Sequence, residues 1–277
     1  GGGSGAEQTT ISLKPVDGIK QYEGTPLTAS AVEGAESSSA LALRELLDAG
    51  YTYKATFDGS ITRVGQSLSS IRSFTLYDAN GKKASGFKFK FKTGYLTVVE
   101  EAVIIVRPYA LQKYYDGTPL QYEEDDYTVA GLPNGYRLEL SLKGVGLTDA
   151  GILQKSELEA LPVAVYDSSG RNVTDQFYID YDMTNALMVS RRTITVASMS
   201  ETKLYDGAPL MNGTYWIASG SLVEGHTLSA NVTGCITDVG TANNTISSVT
   251  IRNENGVVVT DNYLIRLSFG KLTVLDG

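Results

Sequence analysis

The feature that most constrains how this chain can fold is an internal repeat. Tyr22-Glu23-Gly24-Thr25-Pro26-Leu27 returns as Tyr115-Asp116-Gly117-Thr118-Pro119-Leu120 and again as Tyr205-Asp206-Gly207-Ala208-Pro209-Leu210, at offsets of 93 and 90 residues. A motif recurring at such a period marks one folding unit used several times, and the fold has to be read unit by unit. Each copy opens on a β-branched run that reads as a strand: Ile11-Ser12-Leu13, Val103-Ile104-Ile105-Val106 and Thr193-Ile194-Thr195-Val196. A second landmark follows the motif, as Ile61-Thr62-Arg63-Val64-Gly65, Leu147-Thr148-Asp149-Ala150-Gly151 and Ile236-Thr237-Asp238-Val239-Gly240. A third, at Asp78-Ala79-Asn80-Gly81, Asp167-Ser168-Ser169-Gly170 and Asn253-Glu254-Asn255-Gly256, lies between two apolar runs and ends on the residue that takes positive φ at little steric cost, a hairpin signal. Closing runs such as Gly94-Tyr95-Leu96-Thr97-Val98 and Gly270-Lys271-Leu272-Thr273-Val274 complete the unit.

Length alone, 277 residues, suggests one or two domains, and the repeat raises that to three: 9–100, an acidic 101–190, and 191–277. Short strands with turn signals and no helical period in two of the copies predict an all-β chain of three small immunoglobulin-like β-sandwich modules, with β-grasp modules as the alternative. The boundaries at Glu100-Glu101 and at Ser190-Arg191-Arg192 contain no Gly and no Pro, so hinge freedom is expected to be limited, unlike that of a Gly/Ser linker. Gly1-Gly2-Gly3-Ser4-Gly5 does read as such a linker or a cloning remnant.

The first copy is longer between its motif Leu27 and Ile61, 34 positions against 27 and 26 in the others. That insertion carries the one helical pattern, about 38–49: Ser38 as expected N-cap, Ala40, Leu43, Leu46 and Leu47 at helical spacing, and Gly50 as a stop. Its simplest role is a lid on the core of its own module, with a partner-binding helix as the sharper alternative.

Within the repeated turn, the acid (Asp116, Asp206, replaced by Glu23) is expected to bond local backbone, and Gly24, Gly117 and Gly207 to take positive φ. Pro26, Pro119 and Pro209 stiffen the turn, while Tyr22, Tyr115, Tyr205 and the motif leucines are expected to anchor the core. A residue that recurs in each module serves the fold before it serves chemistry.

Charge excludes some partners. Net charge is −8, and the excess acid sits in residues 101–190, with 14 Asp+Glu against 6 Lys+Arg. Nucleic acid is excluded as a partner, because neutralising phosphates needs a basic face. The run Glu123-Glu124-Asp125-Asp126 lacks the spaced oxygens and turning Gly of a calcium loop and reads as a solvated turn, so no metal site is assigned. The one basic feature is Phe87-Lys88-Phe89-Lys90-Phe91-Lys92. Alternation puts three Phe on the core side of a strand and Lys88, Lys90 and Lys92 on the other, either guarding a sheet edge or offering a cationic strip to an anionic polymer such as wall polysaccharide.

Catalytic groups are scarce. The only histidine, His226, begins a predicted strand in Glu224-Gly225-His226-Thr227-Leu228, and no Gly-x-Ser-x-Gly elbow accompanies it. Cys235, the sole cysteine, has no partner for an internal disulfide and no basic neighbour, and reads as a structural thiol. One cysteine suits a cytosolic protein or a secreted protein of Gram-positive type. No Gly-rich phosphate loop follows any strand, and no catalytic residue or cofactor is assigned. A pair of carboxylates for sugar hydrolysis is a matter of distance in space, so an accessory region of a carbohydrate-active enzyme stays as a lesser alternative. No apolar run is long enough to span a bilayer.

Taken together, Tyr-Asp-Gly-Thr-Pro-Leu, Gly-x-Ile-Thr-Asp-Val-Gly, Asn-x-Asn-Gly, Val259-Thr260-Asp261-Asn262-Tyr263 and the closing Gly-x-Leu-Thr-Val resemble the tandem YDG/MBG-type repeats of large bacterial surface proteins, familiar from gut Firmicutes, filamentous-haemagglutinin-like proteins and mucin-associated adhesins. The match is best at 193–275; residues 103–189 vary it with Val173-Thr174-Asp175-Gln176-Phe177, and the first copy departs most, with Ser85-Gly86-Phe87 in place of Thr-Asp-Asn-Tyr. The resemblance implies an extracellular, cell-surface segment, monomeric, whose export signal and anchor lie elsewhere. Its expected role is a semi-rigid stalk or adhesion segment without enzymatic activity, and the alternative is a module that binds a host or wall glycan or a protein. For that alternative the single tryptophan, Trp216, is the specific candidate: alternation along Tyr215-Trp216-Ile217 turns the indole outward if its neighbours face the core, against the simpler reading that Trp216 covers the joint to the second copy or packs under Ser221-Leu222-Val223.

Overall fold

The computed structural model describes residues 8–277; the glycine-rich stretch Gly1–Gly5 lies outside them. Strands dominate the described residues, with two α-helices, Ser37–Asp48 and Lys155–Glu159. Packing divides the chain into two compact units. One holds the chain up to Lys113 together with Pro119–Leu147 and Gly151–Val189; the other holds Tyr114–Thr118, Thr148–Ala150 and Ser190–Gly277.

The sequence repeat becomes a repeat of pairings. The opening strands Thr9–Pro15, Ala102–Pro108 and Arg192–Ser198 each run parallel to the penultimate strand of their own copy, in registers that start Thr9↔Phe87, Ala102↔Phe177 and Arg192↔Tyr263. Each is also antiparallel to the strand that follows the motif: Val32–Gly34, Tyr127–Ala130 and Tyr215–Ser219. The landmark glycine meets the closing strand at Gly65↔Val98, Gly151↔Val189 and Gly240↔Val274. The motif leucine meets the landmark aliphatic residue at Leu27↔Ile61, Leu120↔Leu147 and Leu210↔Ile236. The motif tyrosine N–H donates to the end of the closing strand over 2.8 Å in all three copies, to the carbonyls of Val99, Ser190 and Leu275. The third landmark folds as the sequence predicts. Asp78, Asp167 and Asn253 each accept two backbone N–H groups through the side chain, and Gly81, Gly170 and Gly256 hold φ of 78°, 81° and 77°.

The first copy shows most plainly why these pairings make a sandwich. One sheet has three strands, with Thr9–Pro15 between Val32–Gly34 and Phe87–Phe91; the other has four, from Gly18–Gln21 through Gly94–Val99 and Gly65–Tyr77 to Thr52–Asp58. Ile11, Leu13 and Val32 of the first sheet pack on Ile71, Tyr53, Phe57 and Phe74 of the second. Each such buried aliphatic side chain contributes roughly 1.5–3 kcal/mol by leaving water. The modules are of the immunoglobulin-like β-sandwich class, and in the first copy two sheets face each other where a grasp would wrap one sheet around a helix.

The two helices depart from the expectations in three ways. The N-cap position of helix Ser37–Asp48 is Glu36 rather than Ser38, with no side-chain cap, and Ser39 turns inward to accept the Ser12 N–H at 2.9 Å. Gly50 does end it, at φ 95°, with Gly50 N–H on the Leu47 carbonyl and Tyr51 N–H on that of Leu46, the paired bonds of a Schellman cap. Leu43, Leu46 and Leu47 cover the core of the first copy, as a lid would. The helix also lies against Gly151–Ile152 of the second copy, and Arg44 donates to the Thr184 carbonyl and Asn185 Oδ1. It is therefore a clamp between the first two copies within one compact unit, which one-dimensional spacing does not reveal. The second copy, read as helix-free, has the five-residue turn of helix Lys155–Glu159, placing Leu158 in its core.

Candidate functional site

The repeated turn is the most regular local structure. Gly24, Gly117 and Gly207 hold φ of 84°, 80° and 79°, which a side chain bearing Cβ resists, so the glycine is a backbone requirement. Asp116 Oδ1 accepts the Thr118 N–H and hydroxyl, and Asp206 Oδ1 accepts the Ala208 N–H and the Lys203 ammonium. Glu23, one methylene longer, instead bonds the Thr25 hydroxyl and Lys20, and those two bonds hold its carboxyl below the usual range. The acids are turn residues.

The motif tyrosines are not core anchors of their own copies. Tyr22 and Tyr205 are 54% and 52% exposed, while Tyr115 is 3% exposed. The backbone bond to the closing strand is what the position conserves; its side chain points out of the sandwich. Tyr115 is buried because, within the second compact unit, its ring meets Tyr263 edge-on at 5.8 Å and His226 at 6.1 Å.

That contact is a polar clasp around an aromatic centre. Asn262 Oδ1 accepts the Ala150 N–H at 2.8 Å, and Asn262 Nδ2 donates to Asp149 Oδ1 at 3.1 Å. The Tyr263 hydroxyl accepts the Val223 N–H and lies 2.8 Å from His226 Nδ1. Arg192 holds the Ser221 carbonyl and hydroxyl. Burial, then the Asp149 carboxylate, pushes the Tyr115 phenol above its ordinary value, and burial does the same for Tyr263. The only histidine is thus part of a structural cluster, at the start of strand Thr227–Val232 where the sequence placed it. Asp149, Asn262 and Tyr263 were visible only as motif letters; the return of Asp149 as Asp238 was the one available signal.

The surface candidates fall elsewhere. Trp216 is 45% exposed, opposite Ala197 on the outer strand of a three-stranded sheet, with Tyr215 and Ile217 half-buried. Lys88 and Lys90 are exposed on a strand paired on one side only, with Thr9–Pro15, and Lys92 is exposed just beyond it. Phe87 and Phe89 pack on the core, Phe89 at 4.8 Å from Phe74. Phe91 departs from the expected alternation and is half exposed, since it stands at the last paired position and is not packed on that core. Glu123–Asp126 closes on itself as a turn, with Asp126 Oδ2 accepting the Glu123 N–H.

Among the described residues no group of three or more His, Cys, Asp or Glu could hold a metal ion. A depression of about 480 Å³ is lined by Val64–Gln66 and Thr97–Glu101 and contains no histidine or cysteine. Cys235 is exposed, so the sandwich does not use it for packing. Among the described residues no helix is long and apolar enough to cross a membrane.

No protein-family model and no curated protein matches this chain. Among solved structures, PcdhgB3 EC1-4 aligns over 96% of this chain and 76% of its own at 11% identity and a TM-score of 0.17. The N-terminal four Ig domains of Dscam1 isoform 1.9 align over 98% and 74% at 9% identity and a TM-score of 0.17.

Proposed function

We propose that this chain is a non-catalytic segment of a cell-surface protein, used as a stalk or adhesion segment that spaces or presents other parts of the molecule. The carrying observation is that one set of strand pairings recurs three times, with copies joined by almost no intervening chain: Glu100 and Glu101 separate Gly94–Val99 from Ala102–Pro108, and Arg191 alone separates Met188–Ser190 from Arg192–Ser198. The residues shared by the copies close turns and sheets, and the resemblance to YDG/MBG repeats supports a surface location. Antibody raised against the chain should label intact source cells. Label only after permeabilisation would overturn the reading.

Trp216 favours a second reading, a carbohydrate contact. An indole on a flat sheet face offers a stacking surface for the apolar side of a sugar ring. A glycan array on the intact chain, compared with Trp216→Ala, tests it; binding that survives the substitution would remove Trp216 from that role.

A further inference from the structure

We propose that the turn face of the third copy, built on Tyr205, Asp238 and the backbone N–H of Val239, is a docking surface for a further repeat that carries the residues found here as His226, Asn262 and Tyr263. The inference rests on the reading of the chain as a run of surface repeats.

The same face exists once already in covered form. In the second copy Tyr115, Asp149 and Ala150 occupy the corresponding positions, and they are met by the edge of Tyr263, the ring of His226 and both ends of the Asn262 amide. The correspondence is geometric as well as sequential. Tyr115 and Tyr205 donate the same 2.8 Å bond to the closing strand, and the glycines two residues on share φ of 80° and 79°. The third copy keeps each group that the clasp uses: the phenol ring, the carboxylate and a backbone N–H. It leaves them open, with Tyr205 at 52% exposure and Val239 at 53%, beside Leu204 at 61% and Leu275 at 48%. This is an apolar rim around one aromatic ring and one carboxylate, and a His-Asn-Tyr set is the complement this molecule already uses.

The first copy shows that the match is specific. Its face carries Arg63 where the others have Asp149 and Asp238, and the second copy carries Tyr136, Gln176 and Phe177 where the third has His226, Asn262 and Tyr263. An arginine cannot accept from an amide N–H. With both halves of the clasp changed, Tyr22 stays 54% exposed.

The test extends the full chain after Leu275 with a second copy of residues 191–277 and follows tyrosine labelling by hydroxyl radicals, residue by residue. In the chain as it stands, Tyr22 and Tyr205 should be labelled and Tyr115 protected. In the extended chain Tyr205 should lose its labelling while Tyr22 keeps it, and Asp238→Arg, which copies the first repeat at an exposed position, should restore it. Tyr205 labelling unchanged in the extended chain, protection that persists in Asp238→Arg, or an appended copy that stays unfolded on this face would each overturn the proposal. Absence of the protein from the cell surface would instead overturn the stalk reading.

Discussion

Tyr115 and Tyr205 stand in the same six-residue turn, make the same backbone bond and are followed by glycines of nearly equal φ, yet one is buried and the other is half exposed. The difference lies outside the turn, in the Tyr263 and His226 rings that meet Tyr115 and the Asn262 amide that bonds the neighbouring Asp149. A repeated motif therefore specifies its backbone wherever it occurs, while the energetic weight of its side chains depends on neighbours contributed by another part of the chain. The first copy extends the contrast. There the turn tyrosine is also open, and helix Ser37–Asp48 with Arg44 makes the contacts to the next copy instead.

The largest expected effect separates the two tyrosines. Tyr115→Ala should destabilise the second compact unit by about 3–5 kcal/mol, the cost of emptying a buried aromatic site, whereas Tyr205→Ala should stay within about 0.5 kcal/mol, as at an open surface position. Urea unfolding of both variants checks this, and equal losses would erase the distinction. Next, Gly117→Val and Gly207→Val should each cost more than about 1 kcal/mol, because both glycines hold positive φ; here the two copies should agree, and a cost confined to one would show that the turns are not equivalent.

Asn262→Ala should cost roughly 1–3 kcal/mol by leaving the Ala150 N–H and the Asp149 carboxylate without that partner. Faster hydrogen exchange at Ala150, with Gly240 and Val239 unchanged, is the signature. Alkali probes the same cluster. The Tyr115 phenol is pushed up in the fold, so its contribution is complete below the ordinary tyrosine pKa near 10 and is lost as pH rises above it. Tyr115→Phe should flatten that part of the pH–stability profile, and a profile identical to the parent would exclude Tyr115 from it. Smallest is Arg44→Ala. Its bonds to Thr184 and Asn185 are exposed, and their loss should cost no more than about 1 kcal/mol. Exchange at the helix should then rise more than exchange at Gly207.

Much of this was legible in one dimension because it is local. Positive φ at Gly24, Gly117, Gly207, Gly81, Gly170 and Gly256, the side-chain bonds of Asp116 and Asp206 and the stop at Gly50 depend on a few adjacent residues, whereas alternation alone left open whether Trp216 is covered, and the fold leaves it 45% exposed. The recurrence of the landmarks in one order was legible too, whereas the pairing of the motif leucine with the landmark residue, Leu27↔Ile61 and its two counterparts, came from the folded structure. What the tertiary structure alone decided are the contacts between residues distant in sequence. Tyr115 is buried by residues more than a hundred positions away, Arg44 reaches Thr184, and Phe91 is left open because the facing core does not extend to it. The reason is physical: sequence spacing sets which side of an element a side chain leaves from, but whether that side meets water or another surface is determined only when the elements are packed.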